Sequence, residues 1–82
     1  MRMKIIISKH ARSRMITYNF TEDLIKNAVL EPDEVVNGYG GTLIAQKLLN
    51  GYLLRVVYRK QKDEIKIITV YPAKKARYWR EK

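Results

Sequence analysis

Thr42-Leu43-Ile44-Ala45-Gln46-Lys47-Leu48-Leu49-Asn50-Gly51-Tyr52-Leu53-Leu54-Arg55-Val56-Val57-Tyr58-Arg59-Lys60 is the stretch that decides the fold. Two apolar runs flank Asn50-Gly51, and an Asn-Gly pair in that setting signals a tight hairpin because both central positions of a type I′ turn need positive φ. The reading pairs residues 42–49 with residues 52–60. Downstream, the polar stretch 61–64 is a second turn and residues 65–71 a last strand, stopped by Pro72. Upstream, Val35-Val36 is a short strand, and the Gly38 to Gly41 stretch is a hairpin turn. That stretch does not stand between a strand and a helix in the order of a phosphate-binding loop.

The first thirty residues have helical signals instead. Ser8 suits an N-cap, and residues 9–18 contain no Gly or Pro, which predicts a first helix with Met3 to Ile7 as a lead-in strand or extended arm. Thr21 caps a second helix over residues 22–30. Glu22 and Asp23 sit at the positive end of its dipole, and Phe20 is placed as a hydrophobic staple on Ile25. Glu31 before Pro32 ends it. The expected fold class is α+β: two N-terminal helices packed on one face of a four-stranded antiparallel sheet whose strand order follows the sequence. It forms a single domain over residues 1–82 with a basic aromatic tail at 73–82. Strict alternation puts Leu54, Val56, Ile68 and Val70 beneath the helices. It leaves Arg55, Ile65, Ile67, Thr69 and Tyr71 on the open face.

The chain of 82 residues has 17 Lys and Arg against 8 Asp and Glu, a formal net charge of +9, and the charge is segregated. Residues 1–18 and 55–82 together hold fifteen bases and three acids, a sum of +12, whereas residues 19–54 hold two bases and five acids, a sum of −3. Solubility needs no such segregation, so the distribution points to a polyanion, with nucleic acid the natural candidate. One His and no Cys argue against an all-protein transition-metal site, and no cofactor is expected. No window approaches a membrane span, and the apolar run at residues 5–7 is too short for a signal-peptide core, so a cytoplasmic location without membrane partners is expected.

Ser-Lys-His-Ala-Arg-Ser-Arg-Met at 8–15, Thr-Glu-Asp-Leu-Ile at 21–25, Glu-Pro-Asp-Glu-Val at 31–35, Leu-Arg-Val-Val-Tyr at 54–58 and Ile-Thr-Val-Tyr-Pro at 68–72 together resemble an uncharacterised domain family. That family is assigned to the RelE/ParE-like toxin superfamily of small ribonucleases. The resemblance covers about residues 5–79. It implies a RelE-like fold, RNA or the ribosome as target, and a small acidic antitoxin as partner in a toxin-antitoxin system.

Metal-independent RNA cleavage needs a base for the 2′-hydroxyl, an acid for the leaving 5′-oxygen, and cations for the charge gathering on phosphorus. His10 is the one side chain whose ordinary pKa lies near neutrality, and Arg14 follows it at i, i+4. Arg55 is offered by the sheet, with Thr69 and Tyr71 able to orient a phosphate or base. These five are the candidate catalytic residues, with RNA entering between the first helix and the open face. Lys9, Arg12, Lys74, Lys75 and Arg77 would bind phosphates, and Tyr78 and Trp79 would stack on unpaired bases. Each has a plainer reading: Arg55 as an ion-pair partner of Glu34 or Glu64, Thr69 and Tyr71 as good strand formers, Trp79 as docked on the core. The leading expectation is a toxin-like endoribonuclease; the alternative is a non-catalytic ParE-like inhibitor or an RNA- or protein-binding module of the same fold.

Overall fold

A computed structural model describes residues 3–78, with Arg77 and Tyr78 described by their backbone alone. The element order is β1 (Lys4–Ile7), α1 (Lys9–Tyr18), α2 (Glu22–Leu30), β2 (Glu34–Asn37), β3 (Leu43–Leu49), β4 (Tyr52–Gln61), β5 (Glu64–Ala73) and α3 (Lys75–Tyr78). A 3-10 turn over Tyr39–Gly41 lies between β2 and β3. The five strands form one mixed sheet in the order β1-β5-β4-β3-β2.

The sheet corrects the expected four-stranded antiparallel architecture. The meander from β2 to β5 is present, but Lys4–Ile7 is a fifth strand, paired parallel to β5 with Ile5 opposite Ile65 and Ile7 opposite Ile67. Four residues are too few to show an alternating pattern of their own. Their place comes from the α1–α2 crossover, which returns the chain to the far edge of the sheet and leaves β1 beside the last strand. Pro72 does not stop β5 either. It sits inside the strand opposite Leu54, and β5 runs on to Ala73.

Both helices begin as their caps dictate. Ser8 Oγ accepts from Ala11 N at 3.1 Å and Thr21 Oγ1 from Leu24 N at 3.1 Å. Asn19 ends α1 in the left-handed region at φ 60°, a conformation that Asn tolerates better than most residues. Lys47 Nζ donates to the Glu31 carbonyl at 2.8 Å, so a cation closes the C-terminal end of α2. Ala11, Met15, Ile25, Ala28 and Val29 from the helices pack with Ala45, Leu54, Val56, Tyr58, Ile65, Ile67 and Val70 from the sheet. Burial pushes the Tyr58 hydroxyl pKa up. Phe20 stacks between Tyr18 and Tyr52, at centroid distances of 5.6 and 6.4 Å, and closes the helix end of this core.

Ile65 and Ile67 lie in the core, whereas strict alternation puts them on the open face. The cause is a β-bulge: Val57 faces Thr69 but Tyr58 faces Ile67, so Ile68 is an extra residue on β5 that reverses the parity of everything before it. Ser8 holds the bulge in place. Its backbone N–H donates to Ile67 O at 3.0 Å and its hydroxyl to Ile68 O at 3.0 Å. The Asn50-Gly51 turn also differs from expectation, since Gly51 has φ 89° while Asn50 has no positive φ, which is the φ signature of a type II turn.

Ser8→Ala removes both the helix cap and the hydroxyl bond to the bulge. It is expected to lower stability by about 1–2 kcal/mol in urea unfolding with an unchanged slope. An unaltered midpoint would show that the bulge is held without Ser8.

Candidate functional site

The face of the sheet opposite α1 and α2 has a polar row that crosses four strands in register. Glu34 on β2 faces Gln46 on β3, Gln46 faces Arg55 on β4, and Arg55 faces Tyr71 on β5. Directly opposed residues of antiparallel strands point to the same face, so the four side chains form a line. Gln46 Nε2 donates to Glu34 Oε1 at 2.9 Å, and Arg55 Nη1 donates to the Tyr71 hydroxyl at 2.8 Å. The Arg55 guanidinium also lies 5.7 Å from the Tyr71 ring centroid. Arg55 is 7% exposed and Gln46 1%, unusual values for such polar groups. Gln46 Oε1 is buried with no hydrogen-bond partner among the described residues.

The row depends on the bulge. Register carried unbroken from the Gln61–Glu64 pair would set Val70 opposite Arg55; the extra residue at Ile68 sets Tyr71 there instead. Sequence reasoning singled out Arg55 and Tyr71 and weighed Glu34 as an ion-pair partner, but missed Gln46. A signal for it existed: a two-residue turn at Asn50-Gly51 places Gln46 opposite Arg55, and Gln46 with Lys47 interrupts the aliphatic run of β3.

The five candidate catalytic residues are not brought together. Arg55, Thr69 and Tyr71 share the face opposite the helices, whereas α1 packs through Ala11 and Met15 on the other face. The sheet therefore lies between Arg14 and the Arg55–Tyr71 pair, and the expected RNA path between the first helix and the open face is not formed. Arg14 is half-buried on α1, with Nη2 donating to the Tyr18 hydroxyl at 3.4 Å and its guanidinium 5.5 Å from the Tyr18 ring centroid. His10 is exposed in the first turn of the same helix. Lys9 is exposed beside it. Arg12 is held on the surface by Glu22 at 3.0 Å, and this bond keeps the Glu22 pKa below the usual carboxylate value. Lys74 and Lys75 are exposed where β5 runs into α3. The side chains of Arg77 and Tyr78, and all of Trp79, lie outside the described residues.

Electrostatically the fold sorts what the sequence had separated by position. β1 and α1 lie beside β5 and β4, which brings the described bases of residues 4–14 to the same half of the fold as those of the last two strands; α2, β2 and β3 make the other half. Among the described residues no cluster of three or more His, Asp or Glu is placed to hold a metal ion. No helix among them is long and apolar enough to cross a membrane.

The model of a family described as a domain of unknown function (DUF4258) matches residues 7–72. The chain belongs to this family. The match runs from the last residue of β1 to Pro72 in β5 and includes the whole polar row, together with His10 and Arg14. No curated protein and no solved structure matches the chain.

Tyr71→Phe leaves the ring and removes the acceptor of a buried guanidinium, so a loss of about 1–3 kcal/mol is expected in urea unfolding. A loss below about 0.5 kcal/mol, the usual range for a surface change, would show that the hydroxyl bond contributes nothing to the row.

Proposed function

We propose that this chain is an RNA-binding, toxin-like endoribonuclease that acts in the cytoplasm without a metal ion and is restrained by a small acidic antitoxin. The observation that supports this reading is the strand order β1-β5-β4-β3-β2, which sets β1, from one basic segment, beside β5 and β4, from the other. A polyanion on that half gains from release of its condensed counterions. An acidic partner protein would neutralise the same surface. His10 is the acid or base of the proposed reaction, and Arg14, one helical turn along, supplies positive charge beside it. In the chemistry proposed, the 2′-oxygen loses its proton and attacks phosphorus, the bond from phosphorus to the 5′-oxygen breaks, and that oxygen takes up a proton. The products are a 2′,3′-cyclic phosphate and a free 5′-hydroxyl.

One observation favours a second reading, a non-catalytic module that binds RNA or a protein through the same fold. The sheet divides the expected catalytic set, leaving the Arg55–Tyr71 pair without His10.

Incubation of the purified protein and its His10→Ala variant with total RNA and a tRNA pool in EDTA, with and without ribosomes, separates the two. The endoribonuclease reading expects fragments ending in 2′,3′-cyclic phosphate from the unsubstituted protein and none from the variant. Equal cleavage by both removes His10 from the reaction, and no cleavage by either leaves the binding module. Binding has its own readout. Reversal of Lys74 and Lys75 to Glu is expected to flatten the plot of log affinity against log salt by about 0.7 per lost single-strand phosphate contact. An unchanged slope would remove the two lysines from the RNA interface.

A further inference from the structure

We propose that the loop between β2 and β3, together with the adjoining corner of the sheet, is a nucleotide subsite for single-stranded RNA: Tyr39 stacks on an unpaired base while Arg59 and Lys66 hold the neighbouring phosphate. This rests on the RNA-binding reading and extends it to residues that neither the helices nor the polar row contain.

Tyr39 is 97% exposed, whereas Tyr18, Tyr52, Tyr58 and Tyr71 are all half-buried or buried. The ring is not on a loose loop. Gly38 N donates to Thr42 O at 2.9 Å, the Thr42 hydroxyl donates to Tyr39 O at 2.8 Å, and Thr42 itself is buried. Gly40 and Gly41 follow at φ 67° and 79°, values that fold the backbone back against β4. There Arg59 Nη1 donates to the Gly40 carbonyl at 2.9 Å, and the Arg59 guanidinium is the group nearest both glycines. An aromatic on a backbone already held in place adds no loop-ordering cost on stacking, which suits it to holding a base.

Arg59 links this loop to a cavity. Arg59 faces Lys66 across β4 and β5, and Gln61 faces Glu64 one step nearer the turn. These four side chains line a cavity of about 250 Å³ on the face opposite the helices. Lys4 stands opposite Glu64 on the parallel strand β1, so this corner holds Lys4, Arg59 and Lys66 with one carboxylate. Positive charge of that density beside an isolated aromatic fits a nucleotide, with its phosphate and flat base, better than an apolar protein surface. It also lies on the same face as the polar row, with Arg59 four residues from Arg55 along β4.

The test is fluorescence anisotropy with a labelled single-stranded 2′-O-methyl oligoribonucleotide, which lacks the attacking 2′-hydroxyl and survives any cleavage. Tyr39→Ala is expected to weaken binding about 5- to 100-fold, the usual range for one stacked base, while Tyr39→Trp keeps or strengthens it. Lys66→Gln is expected to reduce the salt slope by about 0.7, one phosphate contact. A perfect RNA duplex is expected to bind Tyr39→Ala and the unsubstituted protein alike, because its bases are already stacked. Equal binding of the single strand by Tyr39→Ala overturns the subsite and leaves RNA binding standing. So does a Tyr39→Trp variant as weak as Tyr39→Ala, or an equal loss on duplex. No binding of any RNA by the unsubstituted protein overturns both the subsite and the RNA-binding reading.

Discussion

One extra residue in β5 governs this structure. With Ile68 outside the ladder, Ile65 and Ile67 turn toward the helices, and Tyr71 comes to face Arg55. A regular hairpin could satisfy only one of these two arrangements, because side-chain direction alternates strictly along a strand. The bulge also frees carbonyl groups where the chain leaves β1 and starts α1. Ser8 takes both, by its N–H to Ile67 O and its hydroxyl to Ile68 O, while its oxygen caps the helix. One residue thus joins the parallel strand, the helix start and the bulge, a local concentration of constraints that specifies a single register.

The two faces of the sheet that result have different physics. The helix side is a conventional apolar core in which Ile25, Leu54, Ile67, Val56 and Val70 are fully buried. The opposite face buries an amide and a guanidinium between a half-buried carboxylate and a half-buried phenol, with hydrogen bonds at both ends. Buried polar groups of this kind are costly unless satisfied, and a row that pairs across four strands resists slippage of any of them. The arrangement also keeps the Arg55 head group fixed, which would suit either a structural or a binding role.

The proposed function rests on charge rather than on an assembled triad. Two segments that hold bases, β1 with α1 and β4 with β5, are distant from each other in sequence and adjacent in the fold, since β1 pairs with β5 and α1 packs on it. The same topology puts the candidate acid or base, His10, and the Arg55–Tyr71 pair on different sides of the sheet. A ribonuclease built this way would use α1 and its surroundings for chemistry and the far face for holding the strand. A binding module would use the basic half without further demands.

Much of the architecture was legible in local signals. Ser8 and Thr21 mark the helix starts, Pro32 follows the end of α2, and Asn50-Gly51 marks the β3–β4 turn, because capping and turn chemistry act between residues close in sequence. The charge segregation was equally plain. What local signals could not carry was the partner of a four-residue strand, the parity change at Ile68, the depth of Arg55 and Gln46, and the division of the candidate site. Apolar residues stand on both sides of Ile68, so alternation alone reads smoothly through the bulge. The sequence by itself therefore determined the elements and the sign of the surface they make. Only the tertiary structure decided which edge β1 occupies and which side chains share a face, because both depend on hydrogen bonds between residues about sixty positions apart.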